Sequence, residues 1–235
     1  MEFEKLSAPS LKDLFIQQLQ RMILSGELAV GTQLPPEREL AQRMQVSRAV
    51  VNGGMSELAK QGFVEIRPRQ GAVVADYRRS GNLSTLIAIM EYQGGVLGKE
   101  EIQSILEVRL ALEHLAVSNT IDRASDEALD RLGKLLAAIA ECETPAQAAE
   151  AAWEFQHELA LVSGNSILPL IYYSFKPPVI TLWTRFCRLY GIGALCHNTE
   201  KLYDFIRARD HDGAARWIDE YLGQAISGNQ QIYDD

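Results

Sequence analysis

Residues 34–74 read LPPERELAQRMQVSRAVVNGGMSELAKQGFVEIRPRQGAVV, and this stretch decides the fold of the first part of the chain. Two adjacent prolines precede an apolar periodicity that predicts a helix over residues 37–44, because proline loses no hydrogen bond in the first turn of a helix. Ser47 is a preferred N-cap and predicts a second helix that runs to about residue 61 and stops at Gly62.

Further elements flank these two helices. Apolar residues at helical spacing predict a first helix over residues 10–25, which Gly26 ends. Residues 63–66 and 72–75 contain valine and isoleucine in short runs, and Gly71 between them suits a hairpin turn. Helix, helix, turn, helix and hairpin is the order of a winged helix-turn-helix, so we predict that fold with a small β-hairpin wing.

The rest of the chain has helical patterns. Residues 76–82 are polar and charged, which predicts a linker between a domain at 1–75 and a second domain at 83–235. No stretch beyond the linker favours a strand, so we predict a mainly α protein whose second domain is an all-α bundle of six to seven helices. Pro177 and Pro178 lie inside the fifth of these helices and predict a kink or break. The helices are predicted at 83–91, 100–119, 125–142, 145–162, 166–190, 195–209 and 212–226.

The composition is that of a globular protein. Hydrophobic residues make up 47% of the 235 residues and charged residues 23%, which is enough apolar material for a buried core. No apolar run approaches the roughly 20 residues that span a bilayer, and the first ten residues have no apolar signal-peptide core. Cys142, Cys187 and Cys196 have no CxxC spacing. We therefore expect a cytoplasmic protein with reduced thiols and no membrane partner.

Charge is distributed unevenly along the chain. The net charge is -8, yet residues 1–79 carry 11 Lys and Arg against 9 Asp and Glu, a net of +2. The remaining residues carry 12 basic and 22 acidic side chains, a net of -10. Polyanionic DNA attracts the first part and repels the second. We expect the N-terminal part to contact DNA and the acidic part to be held away from it.

The stretch at 34–74 resembles the DNA-binding domain of the GntR family of bacterial regulators. That family has a proline-rich start, an E-R-E-L-A helix, a V-S/T-R start to the recognition helix, an L-x-x-x-G end and a glycine-tipped wing. The matching residues are Pro35–Ala41, Val46–Arg48, Leu58 with Gly62, and Gln70–Gly71. The resemblance implies a transcription regulator that reads double-stranded DNA and has no enzymatic activity.

The resemblance assigns DNA-binding roles to a set of N-terminal residues. The start of the recognition helix enters the major groove, where an arginine such as Arg48 pairs with guanine. Glycine in the wing permits close approach to the minor groove. The predicted DNA-binding residues are Arg38, Ser47, Arg48, Ala49, Asn52, Gln70 and Gly71.

The predicted recognition helix departs from the family pattern. Many members have arginine where this chain has Asn52, and asparagine pairs with adenine, which predicts a shift in the preferred bases. Gly53 and Gly54 follow, and each glycine inside a helix costs about 1 kcal/mol relative to alanine. Either these glycines allow close packing against another helix or DNA, or they weaken the helix.

The C-terminal part resembles the helical effector domain, called FCD, of the FadR branch of this family. The similarity lies in Val108–Leu110 with Glu113, in Leu161–Asn165, and in Ala208–Asp210 followed by Ala214 and Ala215. Most such domains hold a metal through one aspartate and three histidines. The aligned positions here are Ala152, Gln156, Thr199 and Tyr221. None of these is a usual ligand, and His114, His157, His197 and His211 offer no ligand set, so we predict no metal and no other cofactor.

Metal loss is typical of those members of the branch that respond to fatty acids and bind long-chain acyl-CoA. Residues 77–91 and 182–186 resemble the linker and the central helix of those members. Acyl-CoA is therefore the leading effector, and arginine matches its anionic groups. Leu222 stands where those members have glycine. The predicted effector-binding residues are Arg109, Trp153, Gln156, Arg185 and Tyr221.

We predict a homodimer whose two winged domains bind a near-palindromic operator and whose helical domains bind a small-molecule effector that changes DNA affinity. Three alternatives stay open. In the first, the pocket takes a small organic acid without a metal. In the second, the helical domain is an enzyme, although the chain has no nucleophile elbow, P-loop or dinucleotide loop. In the third, the helical domain serves only for dimerisation.

Overall fold

The chain forms two units, Met1–Gly94 and Gly95–Asp235, in the computed structural model, which describes residues 9–92 and 99–232. The order of elements in the first unit confirms the predicted winged helix-turn-helix. Its elements are helices α1 (Leu11–Leu24), α2 (Glu37–Arg43) and α3 (Arg48–Lys60), strands β1 (Val64–Arg67) and β2 (Gly71–Val74), and helices α4 (Tyr77–Ser80) and α5 (Leu83–Tyr92).

Side-chain caps explain where α1 and α3 begin. The hydroxyl of Ser10 accepts a hydrogen bond from the backbone N–H of Asp13 (3.1 Å), and the Asp13 carboxylate accepts one from the N–H of Ser10 (3.0 Å). Ser47 caps α3 by accepting a hydrogen bond from the N–H of Val50 (3.2 Å). The chain turns from α2 to α3 through Gln45, whose φ is 53°.

Helix α1 packs directly on α3. This packing depends on Gly54, because a Cβ at that position would lie 2.3 Å from Cδ1 of Phe15, a core residue that is 1% exposed. Gly53 has no such constraint, since a Cβ there would meet only the Lys12 side chain at 3.7 Å. Of the two explanations for the glycine pair, close helix packing therefore applies to Gly54.

Each strand of the wing hairpin begins and ends one residue away from its predicted boundaries. Its antiparallel register pairs Val64 with Val74 and Arg67 with Gly71. Gly71 therefore begins β2 and does not lie in the turn, and its φ of 89° is a conformation that glycine adopts without strain. The turn itself is made by residues 68–70.

The predicted linker contains the single-turn helix α4, and α5 packs within the first unit. Asn82, just before α5, donates a hydrogen bond from Nδ2 to the backbone oxygen of Lys60 (3.0 Å), and its Oδ1 accepts one from the N–H of Ser84 (2.9 Å). Ala88 on α5 is 4% exposed in the core of this unit. The sequence placed α5 in the C-terminal domain, and the extent of each functional domain stays a prediction.

The second unit is all-helical in the residues that the structure describes, as predicted. Its central helix, α8, packs against α6, α7, α9, α10 and α11, and α12 packs along α6 and α11. No helix in the described ranges is both long enough and apolar enough to cross a membrane. The helices are α6 (Lys99–Arg123), α7 (Asp126–Ala140), α8 (Pro145–Val162), α9 (Leu168–Ser174), α10 (Lys176–Tyr190), α11 (Ile192–Arg207) and α12 (His211–Ile226).

The long helix predicted at 166–190 consists of two helices. Helix α9 ends at Ser174 and α10 begins at Lys176. Pro177 falls in the first turn of α10, where its missing N–H has no helical partner to lose. The predicted break is confirmed, and it lies at Phe175, just ahead of the prolines.

Candidate functional site

The residues predicted to bind DNA from α3 are all exposed. Arg48, Ala49 and Asn52 lie within about one turn of the helix, next to the N-cap Ser47. The Ser47 hydroxyl accepts from the N–H of Val50, but its O–H remains a donor that suits a phosphate oxygen. The exposed N–H groups of a helix N-terminus suit an anion as well. This end of α3 therefore offers DNA both a cation and hydrogen-bond donors.

Helix α2 contributes to the same surface. Arg38 is exposed there, and Glu37 beside it reaches α3. Nδ2 of Asn52 lies 3.4 and 3.5 Å from the two carboxylate oxygens of Glu37. These distances are long for a hydrogen bond, so a base edge can compete for the Asn52 amide.

The wing presents the other two predicted DNA-binding residues. Gln70 and Gly71 are exposed, and Nε2 of Gln33 donates a hydrogen bond to the backbone oxygen of Gln70 (2.6 Å). Arg67 at the end of β1 pairs with Glu65 at 2.8 Å, which offsets part of the positive charge of the wing. The wing turn is thus held in place by a side chain from the segment before α2.

Lys12 is a basic residue beside α3 that lies outside the sequence motif. It is exposed, and its aliphatic chain passes Gly53, where a Cβ would lie 3.7 Å from Cδ and 3.8 Å from Cε of the lysine. The sequence shows a lysine at the start of α1 and a glycine on α3. Only the packing of the two helices brings them together.

The second unit encloses a cavity bounded by α6 and by α8 to α12. Its empty space is about 1150 Å³, including the part that is open to solvent. Most of its wall is aliphatic or aromatic, as at Leu106, Phe175 and Leu202. A mainly apolar cavity with a few polar groups is the usual form of a small-molecule site. The polar or polar-tipped side chains on its wall are Arg109, Trp153, Gln156, Tyr172, Trp183, Asn198, Thr199 and Tyr221.

Four of the five predicted effector-binding residues line this cavity, and Arg185 is not among the lining residues. The four are Arg109, Trp153, Gln156 and Tyr221. All four positions aligned with the metal ligands of related domains also line it, namely residues 152, 156, 199 and 221. The structure therefore brings these separate segments of sequence together at one site.

The buried carboxylate of Glu113 organises the polar side of the cavity. Glu113 is 0% exposed and accepts hydrogen bonds from Nε of Arg109 (3.1 Å), from Nε2 of Gln156 (2.9 Å) and from the hydroxyl of Tyr221. Arg109 and Glu113 lie one turn apart on α6. The sequence contains this spacing, but nothing in it indicates that α8 and α12 supply the other two donors.

Arg109 balances the charge of Glu113. Its side chain is 19% exposed, and its guanidinium carbon lies 4.8 Å from the ring centroid of Trp183. Burial opposes the charged form, but the attraction of Glu113 outweighs it and raises the pKa of Arg109. The aromatic face stabilises the cation further. The polar side therefore holds one positive and one negative charge.

The two tyrosines of the cavity stay protonated. Burial raises the pKa of Tyr221 and of Tyr172 well above the usual value for a phenol, and the nearby Glu113 raises both further. Tyr221 uses its proton in the hydrogen bond to Glu113. The Tyr172 hydroxyl has no hydrogen-bond partner among the described residues.

Tyr172 is one of three side chains on the cavity wall that carry an unsatisfied buried polar atom. The others are Nε1 of Trp153 and Oε1 of Gln156, again judged over the residues that the structure describes. An unsatisfied buried donor or acceptor costs about 1–3 kcal/mol, and nearly all such atoms in proteins find a partner in protein or water. All three atoms belong to side chains that line the cavity.

The side chains at the aligned metal positions do not fit a transition metal. Ala152 has no donor atom, and Thr199 donates its hydroxyl to the backbone oxygen of Leu195 (2.9 Å). The phenol of Tyr221 is held protonated and occupied by Glu113. Within the described ranges no group of three or more His, Cys, Asp or Glu side chains could hold a metal ion. That the protein works without a metal stays a prediction.

The histidines are engaged elsewhere. His157 stacks on Trp153 with ring centroids 4.7 Å apart, and His197 packs edge-on against Trp217 at 5.9 Å. His114 and His211 contact aspartates on neighbouring helices at 2.8 and 3.0 Å. Each ring therefore has a structural contact.

Comparison with known proteins agrees with this arrangement. The family described as "Bacterial regulatory proteins, gntR family" matches residues 13–74, and the FCD domain matches residues 104–224. The HTH-type transcriptional regulator Mce2R of Mycobacterium tuberculosis is 27% identical over 226 residues, which cover 94% of this chain and 92% of that protein. The Fatty acid metabolism regulator protein of Shewanella pealeana is 29% identical over 157 residues, covering 66% and 64%.

A solved structure shares the fold. It belongs to Lar, described as controlling the expression of the agr system of Listeria monocytogenes and mediating virulence. Its TM-score to this chain is 0.64 at 15% identity, and the match covers 94% of this chain and 97% of that one. The two family matches coincide with the winged unit and with the helices that bound the cavity.

Proposed function

The chain belongs to the GntR family of bacterial regulatory proteins and carries an FCD domain, and from this premise we propose that it regulates transcription as a homodimer bound to a near-palindromic operator. The observation that carries the proposal is the exposed, capped start of α3 with Arg48 as its first residue. Two-fold symmetry of the protein matches two-fold symmetry of the DNA. DNA as the partner places the protein in the cytoplasm, and we assign it no catalytic step.

The proposed DNA contacts follow from the chemistry of each side chain. Arg48 makes a bidentate contact with guanine and Asn52 pairs with adenine in the major groove. Ser47 binds a backbone phosphate, and Arg38 binds a phosphate or a base edge; the phosphate contacts fix the register of the protein on the duplex. Gln70 and Gly71 approach the minor groove from the wing. Ala49 offers its methyl group to thymine.

The cavity of the second unit is the proposed effector site. A ligand that binds better to one arrangement of the dimer than to another shifts the population and so changes DNA affinity. The apolar wall fits a fatty acyl chain, and a protein named as a fatty acid metabolism regulator is among the relatives. Long-chain acyl-CoA is therefore the first effector to test, and a small organic acid held by Arg109 is the second. A purely dimerising domain has no need of an open cavity with unsatisfied polar atoms.

Fluorescence anisotropy on DNA from the protein's own upstream region tests the DNA-reading role. We expect Arg48→Ala to weaken specific binding by about 1–3 kcal/mol per half-site, because it removes the bidentate pairing with a base. Arg188→Ala is the control, since Arg188 is exposed on α10 in the acidic second unit. All measurements use one salt concentration. Equal losses of affinity in the two variants would remove Arg48 from base reading.

The same assay tests effector control. Adding long-chain acyl-CoA to the complex is expected to release the DNA, and adding citrate is the comparison for a small organic acid. Release of the DNA by citrate but not by acyl-CoA would make a small organic acid the preferred effector. If neither these compounds nor neutral amides and alcohols with an alkyl chain change DNA affinity, effector control is wrong and the second unit serves dimerisation. Turnover of acyl-CoA would instead support the enzyme alternative.

A further inference from the structure

We propose that the cavity of the second unit binds an uncharged, mainly apolar molecule whose polar head group is a hydroxyl or an amide, recognised by Trp153, Gln156 and Tyr172. The proposal rests on the cavity being the effector site and assigns the effector to a different chemical class. It differs from both candidates above, because acyl-CoA and organic acids bring anionic groups.

The unsatisfied atoms define what the head group must offer. Trp153 presents an N–H that can only donate, and Gln156 presents an oxygen that can only accept. The hydroxyl of Tyr172 can do either. A ligand that satisfies all three therefore needs both an acceptor and a donor. An amide supplies both at once through its carbonyl and its NH2, and a hydroxyl supplies both through one oxygen.

A carboxylate meets only part of this requirement. Its two oxygens accept hydrogen bonds from Trp153 and Tyr172 but have no proton for Oε1 of Gln156. The Gln156 amide cannot simply reverse its role, because its Nε2 already donates to Glu113 at 2.9 Å. A carboxylate would leave the buried Gln156 oxygen without a partner.

Charge leads to the same conclusion. Arg109 is the one charged side chain lining the cavity among the residues that the structure describes, and its charge is matched by the fully buried Glu113. An anionic head group would sit close to that carboxylate, and like charges in a low-dielectric site repel strongly. The several phosphate charges of CoA would meet a single cation that is already paired. A neutral head group avoids both costs.

The apolar wall determines the chemistry of the rest of the ligand. Side chains from several helices, such as Ile105, Leu182 and Leu195, provide a continuous aliphatic and aromatic surface. Burying such surface contributes about 25 cal/mol per Å², so a medium-length alkyl chain supplies most of the affinity. The head group then selects among ligands that share this chain.

Four probes with the same alkyl chain test the proposal on the full-length protein: decanamide, decan-1-ol, decanoate and decanoyl-CoA. Isothermal titration calorimetry measures their affinities, and quenching of Trp153 and Trp183 fluorescence reports binding in the cavity. We expect decanamide to bind at least about tenfold tighter than decanoate and decanoyl-CoA, with decan-1-ol also tighter than both. Decanoate or decanoyl-CoA binding as tightly as decanamide, or no binding of decanamide at all, overturns the proposal.

A matched pair of variants shows whether the head group is recognised. Tyr172→Phe removes an unpartnered hydroxyl from the cavity wall, so it breaks no described hydrogen bond and folding is preserved. It is expected to weaken decanamide binding about fivefold to tenfold through loss of one hydrogen bond. Tyr173→Phe makes the same change on the same helix at a side chain that is 64% exposed, and it leaves the affinity unchanged. Equal affinities in the two variants overturn recognition of the head group.

DNA affinity separates this proposal from the proposed function. Tight, Tyr172-dependent binding of decanamide without any change in DNA affinity supports the ligand class and contradicts effector control. Release of DNA by decanoyl-CoA, with no binding of decanamide, supports effector control and overturns the ligand class.

Discussion

The ion pair between Arg109 and Glu113 makes the polar side of the cavity sensitive to single substitutions. Removing a charge from water costs several kcal/mol, and for Glu113 three donors offset that cost. The charge of Arg109 is easier to hydrate than that of Glu113, because the Arg109 side chain is 19% exposed and can contact water when its partner is removed. Neutralising Arg109 and neutralising Glu113 should therefore change the free energy of unfolding by different amounts.

Arg109→Met is expected to destabilise the second unit by about 3–5 kcal/mol, because it leaves the fully buried Glu113 charge without its cation. The double variant Arg109→Met with Glu113→Gln is expected to recover most of this loss, since no buried charge then remains. Glu113→Gln alone costs less than Arg109→Met. Urea unfolding followed by tryptophan fluorescence measures these free energies for the second unit alone, because all three tryptophans of the chain lie in it.

A double variant that is as unstable as Arg109→Met would contradict this account of the pair. It would mean that the methionine disrupts packing against Trp183 and that the unpaired carboxylate is not the cause. Arg131→Met, which breaks an exposed ion pair with Glu158, is the control and should cost at most about 1 kcal/mol.

Single residues were predictable from sequence only where a motif fixed their place on a helix. The family resemblance selected Arg109, Gln156 and Tyr221, and all three line the cavity. It missed Tyr172, because α9 carries no motif and its packing on α8 is a tertiary contact. Arg185 was expected in the pocket, but each residue turns a helix by about 100°, and the lining positions of α10 are 179, 182, 183 and 186.

At the scale of helices and strands, boundaries were predictable where one side chain caps the end. Ser47 caps α3, and Thr144 caps α8, whose predicted start at residue 145 agrees with the structure. The wing strands were placed one residue off, and α4 was not predicted, because backbone pairing and a single helical turn leave little trace in the side-chain pattern. Whether α5 belongs to the first or the second unit depends on which core buries Ala88, and sequence periodicity does not show that.

The glycine pair of α3 gives a prediction at this scale. Gly53→Ala is expected to stabilise α3 by up to about 1 kcal/mol, because alanine favours the helix and meets Lys12 only at an ordinary van der Waals distance. Gly54→Ala is expected to destabilise the packing of α1 on α3 by about 1–3 kcal/mol, because its Cβ would clash with the Phe15 ring and overpack the core.

Hydrogen exchange of peptides from α1 and α3 in the full-length protein measures both effects. Protection is expected to rise about fivefold in Gly53→Ala and to fall in Gly54→Ala, and peptides from α7 serve as the internal reference. If both variants gain protection, the Phe15 ring moves aside at little cost and the close-packing role of Gly54 is wrong.

For the whole molecule, the uneven charge decides which part meets DNA. Residues 1–79 have a net charge of +2, whereas the remainder has -10. The proposed dimer would bring two basic regions to one operator, and each phosphate that they neutralise releases condensed counterions. The dependence of affinity on salt therefore reflects the number of phosphates neutralised by both protomers together. This makes it a measure of assembly on DNA as well as of charge.

Lys12→Met tests this relation between salt dependence and assembly. Lys12 is exposed beside α3. We expect its ammonium group to bind a phosphate, so removing it should reduce the slope of log affinity against log salt. The reduction is about 0.9 for each phosphate that is no longer neutralised, hence about two for a dimer and about one for a monomer. Lys134→Met, an exposed lysine on α7 of the acidic unit, should leave the slope unchanged. Anisotropy at several salt concentrations measures both slopes. A reduction near one would contradict dimeric binding, and no reduction would remove Lys12 from the DNA-binding surface.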